Sequence, residues 1–277
     1  MVPIDPYSHD LARAVESANS GELLHALEQC RNILLQAPRY AAAHQLAANL
    51  YLSSGQAERA WHHVAIALAV RPDHVPTLLI AVGAACAIGD VTAALRCSQQ
   101  LITMAPGDVR AVFWRAIALR HAGQMTASLE QLESLKAIGS IDPAAWTYLA
   151  ELYQLAERHA EARDAWTKVV QLTPEAYAGW FNLGVMHDTL KDHAAAALAY
   201  QSALLRRPDS VEALFNLAIA LLETGHPTSA MTHFAHAYAL DPACFGRVAH
   251  ALTASSCGRL WRNPEQLRSA LQTAVSH

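Results

Sequence analysis

WFNLGVMHDTL, residues 180–190, is answered further along the chain by LFNLAIALLET, residues 214–224. A large residue, Phe, Asn and Leu open both copies in the same order. The spacing is not confined to this pair. Pro38, Pro72 and Pro106 are 34 apart, as are Pro174, Pro208 and Pro242. From Pro106 to Pro174 the step is two periods, with Ser140 where the missing proline would fall. One register therefore runs through the chain without insertion or deletion, the mark of a repeat architecture.

With each of these marks placed at position 32, units begin at Tyr7, Ala41, Val75, Val109, Pro143, Tyr177 and Val211. Position 20 is small in every unit: Ala26, Ala60, Ala94, Ser128, Ala162, Ala196 and Ala230. Position 8 is small in six units, Gly184 among them, and Val82 in the other. Position 15 is Gly21, Gly55, Gly89, Gly123 and Gly225, with Glu157 and Lys191 as exceptions. Each recurrence has a physical cause. A glycine after the first apolar stretch ends a helix at a positive φ that costs it nothing. Small residues at positions 8 and 20 let two antiparallel helices approach closely. The closing proline stops the second helix, so the next unit starts afresh. Apolar residues recur between these marks at helical spacing, as at Leu183, Leu190 and Leu198, and no stretch alternates strictly as a half-buried strand would. The unit is predicted to be a helical hairpin.

The pattern resembles the tetratricopeptide repeat family. The later units carry its marks most fully: Trp146, Leu149, Tyr153, Ala162 and Trp166; Trp180, Leu183, Gly184, Ala196, Tyr200, Ala203 and Pro208; Leu217, Ala230, Phe234, Ala237 and Pro242. The first unit departs from it, with Asp10 and Arg13 at positions that call for large apolar residues. The resemblance implies an all-α fold, a right-handed superhelical solenoid of antiparallel helix hairpins in 34-residue units. Residues 1–6 are then a leader, 7–242 seven tandem units, and 243–277 C-terminal capping helices. In that last segment Asn263–Pro264 reads as the opening of a helix, PEQLRSALQTAV. Its plain role is to shield the last hairpin. The alternative is that Trp261 and its helix dock on a partner or a second copy.

In this family the first helix of each unit lines a concave surface through positions 2, 5, 6, 9, 12 and 13. Asn182 and Asn216 both stand at position 6, an arrangement similar to the asparagine ladder in the repeat region of O-linked N-acetylglucosamine transferase. A carboxamide offers both donor and acceptor, so it can pair with a peptide group whatever the side chain. Here only two rungs are present, because the other position-6 residues are Tyr148, Trp114, Ile80, Leu46 and Ala12. Phe113, Phe181 and Phe215 occupy position 5, and with Trp114 and Tyr148 they make the C-terminal half of the expected groove aromatic. Arg110, Arg120, Glu151 and Asp188 fall on the same face and would set its polarity. Neighbouring helices covering some of these aromatics is the competing reading. The family's carboxylate clamp for chaperone tails does not fit, since no unit has Lys at position 5.

Composition narrows the function. The chain is 53% hydrophobic and 16% charged, with 20 Lys and Arg against 24 Asp and Glu. No basic stripe of the kind that nucleic acid requires is present. The start, MVPIDPYSHDL, has neither a basic opening nor an apolar core and does not read as an export signal. The apolar run VPTLLIAVGAACAI, residues 75–88, is too short to span a membrane. Five cysteines without CxxC spacing suit a reducing compartment, so the expected location is the cytoplasm, and the Ala-rich composition hints at a bacterial source. His62–His63 point apart on a helix, and His233 with His236 lack a third ligand, so no metal and no cofactor are expected. No phosphate loop, GxSxG or HExxH occurs, and the repeats leave no room for a catalytic domain. The chain is therefore expected to be a non-catalytic adaptor or scaffold that holds a segment of a partner protein in its groove. Two alternatives stand beside this: a substrate-docking subunit of a separately encoded modifying enzyme, such as a protein glycosyltransferase, and a self-assembling scaffold joined as a homo-oligomer through the C-terminal helix.

Overall fold

The computed structural model describes residues 5–138, 142–254 and 263–275, and every regular element among them is helical. The chain forms two compact units, residues 1–141 and 142–277. In the first, α1 (Ser8–Asn19) pairs with α2 (Leu23–Gln36) and α3 (Ala41–Ser53) with α4 (Ala57–Val70). The next pairs are α5 (Val75–Ile88) with α6 (Val91–Met104) and α7 (Val109–His121) with α8 (Met125–Ile138). In the second unit α9 (Pro143–Leu155) pairs with α10 (His159–Leu172), α11 (Tyr177–Thr189) with α12 (His193–Arg206), and α13 (Val211–Glu223) with α14 (Pro227–Leu240). A 3-10 turn, Pro242–Cys244, leads to α15 (Phe245–Ala254), and α16 (Pro264–Val275) follows. The fold is an all-α helical repeat solenoid.

The turn inside each hairpin needs one residue at positive φ. Gly21, Gly55, Gly89, Gly123 and Gly225 supply it, with φ between 73° and 84°. Glu157 (φ 56°) and Lys191 (φ 64°) adopt the same conformation without being glycine. The turn geometry is thus imposed by the hairpin, and these two side chains carry a Cβ clash of about 1–2 kcal/mol. Lys191→Gly is accordingly expected to stabilise the second unit by about 0.5–1 kcal/mol, the relief being reduced by glycine's greater freedom when unfolded. A urea midpoint that stays put or falls would show that the turn holds no strain.

Within a hairpin the helices touch through the small residues. All seven residues at position 20, from Ala26 to Ala230, are wholly buried. In α8, the Ser128 hydroxyl donates to the backbone carbonyl of Ala116 in α7 at 2.7 Å, a contact that only close backbones allow. Between hairpins, a carbonyl left open at the proline of the connecting loop is covered from the next helix. Trp180 Nε1 donates to Pro174 O at 2.8 Å, and His44 Nε2 lies 3.0 Å from Pro38 O.

At the C-terminal end, Leu267 and Leu271 of α16 are buried in one core with Phe234 of α14 and Val248 and Leu252 of α15. The apolar side of α16 is therefore occupied within the chain. Trp261 and Cys257 lie outside the described residues. Cys30, Cys86, Cys97 and Cys244 are buried free thiols, and burial pushes Cys30 and Cys86 up to about 11, which leaves them unreactive core residues.

Candidate functional site

In the first unit the initial helices of successive hairpins enclose an open groove of about 510 Å³. Leu11 and Val15 of α1, Leu46 and Leu52 of α3, and Leu79 and Ile80 of α5 make its apolar wall, and Trp114 of α7 closes one end. Trp114 is seated by its neighbours: the edge of its indole lies 3.1 Å from where a Gly83 Cβ would stand, so the absent side chain leaves the slot for the ring. The only polar side chains in the lining are Gln45 and Asn49, one turn apart on α3. Among the described residues neither carboxamide has a hydrogen-bond partner. No charged group lines the groove. The other first-unit candidates stand nearby in sequence: Phe113 is half-buried with its ring 6.1 Å from Trp114, and Arg120 is half-buried. Arg110 is exposed and turned back on the α7 cap, its guanidinium donating to Asp108 at 2.8 Å and holding that carboxyl below its usual range.

In the second unit the two asparagines of the repeated motif have different surroundings. Tyr200 of α12, itself 1% exposed, donates its hydroxyl to Asp188 Oδ2 at 2.9 Å, and His193 Nδ1 lies 3.0 Å from Asp188 Oδ1. Burial and the Asp188 charge raise the Tyr200 phenol, and a hydrogen bond from Asn216 opposes them. Asp188 thus belongs to an internal network joining α11 and α12, with Asn216 of α13 beside its tyrosine. Asn182 is half-buried and has no hydrogen-bond partner among the described residues. Phe181 stacks on Tyr177 at 5.6 Å and meets Tyr200 at 5.8 Å. Tyr148 and Glu151 of α9 are half-buried.

Phe215 is 7% exposed, packed against Phe234 at 5.5 Å. Above it lies the Arg247 guanidinium, 4.2 Å from the ring centre and held to both Glu212 oxygens at 2.8 and 2.7 Å. These groups border a second cavity of about 500 Å³ between α13 and α15, where Ile219, Glu223 and His250 also face.

The chain matches the sequence model of the tetratricopeptide repeat over residues 84–143, 149–207 and 192–243, more than half of its length. It belongs to the tetratricopeptide repeat family. No curated protein sequence matches it. Among solved structures it is similar to MamA, with a TM-score of 0.55 and 17% identity over 61% of this chain and 93% of MamA. A MamA structure titled MSR-1 has a TM-score of 0.51 and 24% identity, covering 57% of this chain and 91% of that one. YrrB, titled a TPR protein with an unusual peptide-binding site, has a TM-score of 0.58 and 11% identity over 65% of this chain and 92% of YrrB. At these identities the likeness shows the fold alone.

Every residue of the first-unit groove stands at position 2, 5, 6, 9 or 12 of its tetratricopeptide unit. The positional signal for the groove is therefore present in the sequence. Its residue types hide it: Leu11, Leu46, Leu79 and Ile80 are aliphatic and look like ordinary core, whereas the aromatic rows further on stand out. His44 and His63 pack against each other inside the first unit. His44 Nδ1 and His63 Nδ1 are 2.8 Å apart, and burial followed by the neighbouring His44 and His62 pushes His63 down to about 4. His233 is also lowered, by burial and then by His236. Among the described residues no three His, Cys, Asp or Glu side chains gather as a metal site would require. No described helix is long and apolar enough to cross a membrane. What the first-unit groove offers chemically is apolar surface with two carboxamides, which suits recognition of an uncharged chain.

Proposed function

We propose that this tetratricopeptide repeat chain is a non-catalytic interaction scaffold whose first-unit groove holds an extended, uncharged peptide segment of a partner protein. One observation carries the reading: an apolar groove of about 510 Å³ without a charged residue, with two unpartnered carboxamides, Gln45 and Asn49, in its lining. Apolar side chains of the peptide would meet Leu46, Leu79, Ile80 and Trp114, while its backbone would pair with the carboxamides at about 0.5–1.5 kcal/mol per bond. The helices are already in place, so little ordering of the scaffold opposes binding. In the second unit Asn182 is the asparagine with a carboxamide to offer a ligand, whereas Asn216 sits beside the buried Tyr200 phenol and acts on it.

Selection of a random peptide library on the immobilised chain tests this directly. Uncharged, apolar peptides should be enriched. Their affinity should fall at least tenfold, about 1.4 kcal/mol, when Val15→Lys and Asn49→Lys place charges at the groove's rim. Both positions are exposed, so helicity should be unchanged. The second-unit variant Asn182→Ala serves as the comparison. Peptides that bind the two-lysine variant as tightly as the wild type would remove this groove from consideration, and loss only in Asn182→Ala would move the site to the second unit.

A further inference from the structure

Helix α2 is apolar on two sides. Ala26, Cys30 and Ile33 are buried, and Cys30 packs with Ala14 of α1 and Ala47 of α3. On the outward side Leu24 is 84% and Leu35 72% exposed. A helix with apolar residues on both sides calls for cover on both. Leu24, Glu28, Arg31 and Leu35 are spaced by four, three and four, so they form one straight seam of the kind that pairs helices. All four line the same cleft of about 530 Å³, which lies between α2 and α4 and is bordered by Tyr51 and His63. Among the described residues neither Glu28 nor Arg31 has an ion-pair partner.

The order of residues along this seam says what would cover it. A two-fold axis crossing α2 between Gln29 and Cys30 sets Leu24 opposite Leu35 and Glu28 opposite Arg31, and each pair occurs twice. A surface that complements itself in both shape class and charge is what an isologous dimer requires. A parallel arrangement would instead set Glu28 on Glu28 and Arg31 on Arg31. We propose that two copies of this chain associate through antiparallel pairing of their α2 helices, with the Leu24–Leu35 contacts supplying the apolar core and the Glu28–Arg31 pairs fixing direction. The whole helix is only about 21 Å long, so the dimer belongs with small, reversible interfaces. This surface is separate from the peptide groove, which is lined by α1, α3, α5 and α7.

Sedimentation equilibrium on the full chain, over about 1 to 500 µM, reads the outcome in a range suited to micromolar association. The wild type should show a monomer–dimer equilibrium. Glu28→Arg alone and Arg31→Glu alone should each raise the dissociation constant at least tenfold, because like charges then face each other. An equimolar mixture of the two variants should regain wild-type association, as should the doubly reversed chain E28R/R31E. Regained association also shows that the variants fold. Three results would overturn the proposal: a strict monomer over the whole range, a dimer indifferent to either single reversal, or a mixture that fails to associate.

Discussion

Replacing Trp166 by alanine is expected to lower the stability of the second unit by about 3–5 kcal/mol, the range for removing a large aromatic from a core. Trp166, on α10, is among the largest fully buried side chains and is 1% exposed. Its indole also donates to Gln154 Oε1 of α9 at 2.8 Å, tying the two helices of its hairpin together. In a stack where each hairpin contacts its neighbours, the damage should be local first: amide protection should fall across α9–α12 before it falls in α1–α4. Trp166→Phe keeps most of the ring but leaves Gln154 without its donor, and a loss of about 1–2 kcal/mol is expected. Urea unfolding followed by circular dichroism measures both. A Trp166→Ala midpoint no lower than that of Leu198→Ala, which truncates a side chain 66% exposed, would show that burial of the indole is not what holds this hairpin.

Gly184→Ala should be the most damaging methyl added at any of the described glycines. An added Cβ would stand 2.6 Å from Tyr200 Cε1, 2.7 Å from Cδ1 and 2.9 Å from Cζ. The ring has little freedom to retreat, because its hydroxyl is bonded to Asp188 and its face meets Phe181. Alanine ordinarily favours a helix over glycine by about 1 kcal/mol. Overpacking costs about 1–3 kcal/mol, and displacing Tyr200 also weakens the bonds that satisfy Asp188, so the net effect should be destabilising by about 1–3 kcal/mol. The matched control is Gly246→Ala in α15, where no atom lies within 4 Å of the added Cβ and the helical gain should stand alone. If the two substitutions shift the thermal midpoint in the same direction, contact with Tyr200 does not decide the effect. Recovery in the double variant Gly184→Ala with Tyr200→Leu would assign the loss to that ring.

The periodic recurrence of small residues, turn residues and prolines already determined the fold class and the family, for a physical reason. The contacts that make a helical hairpin are local, between positions such as Ala116 and Ser128 that are 12 residues apart, so their pattern is written within each unit. The backbone demand is so local that Glu157 and Lys191 obey it without being glycine. Position within a unit also says which helix face a side chain occupies, and the lining of the first-unit groove, from Leu11 to Trp114, falls on the positions that the rule names.

What covers that face is decided elsewhere in the chain. Asn182 and Asn216 are the same residue at the same position of the repeated motif, yet Asn216 lies close enough to the buried Tyr200 phenol to act on it and Asn182 has no such neighbour among the described residues. Phe181 and Phe215 are likewise equivalent in sequence. Phe215 is buried because Phe234 lies beneath it and Arg247, brought in by α15, lies above it. Periodicity along one helix carries no information about a guanidinium that arrives from another helix further along the chain, or about whether a tyrosine on the next helix turns its hydroxyl inward. Sequence alone therefore determined the hairpins and the faces they present. Only the tertiary structure decided which carboxamides and rings remain available to a ligand, because availability depends on side chains brought together by packing.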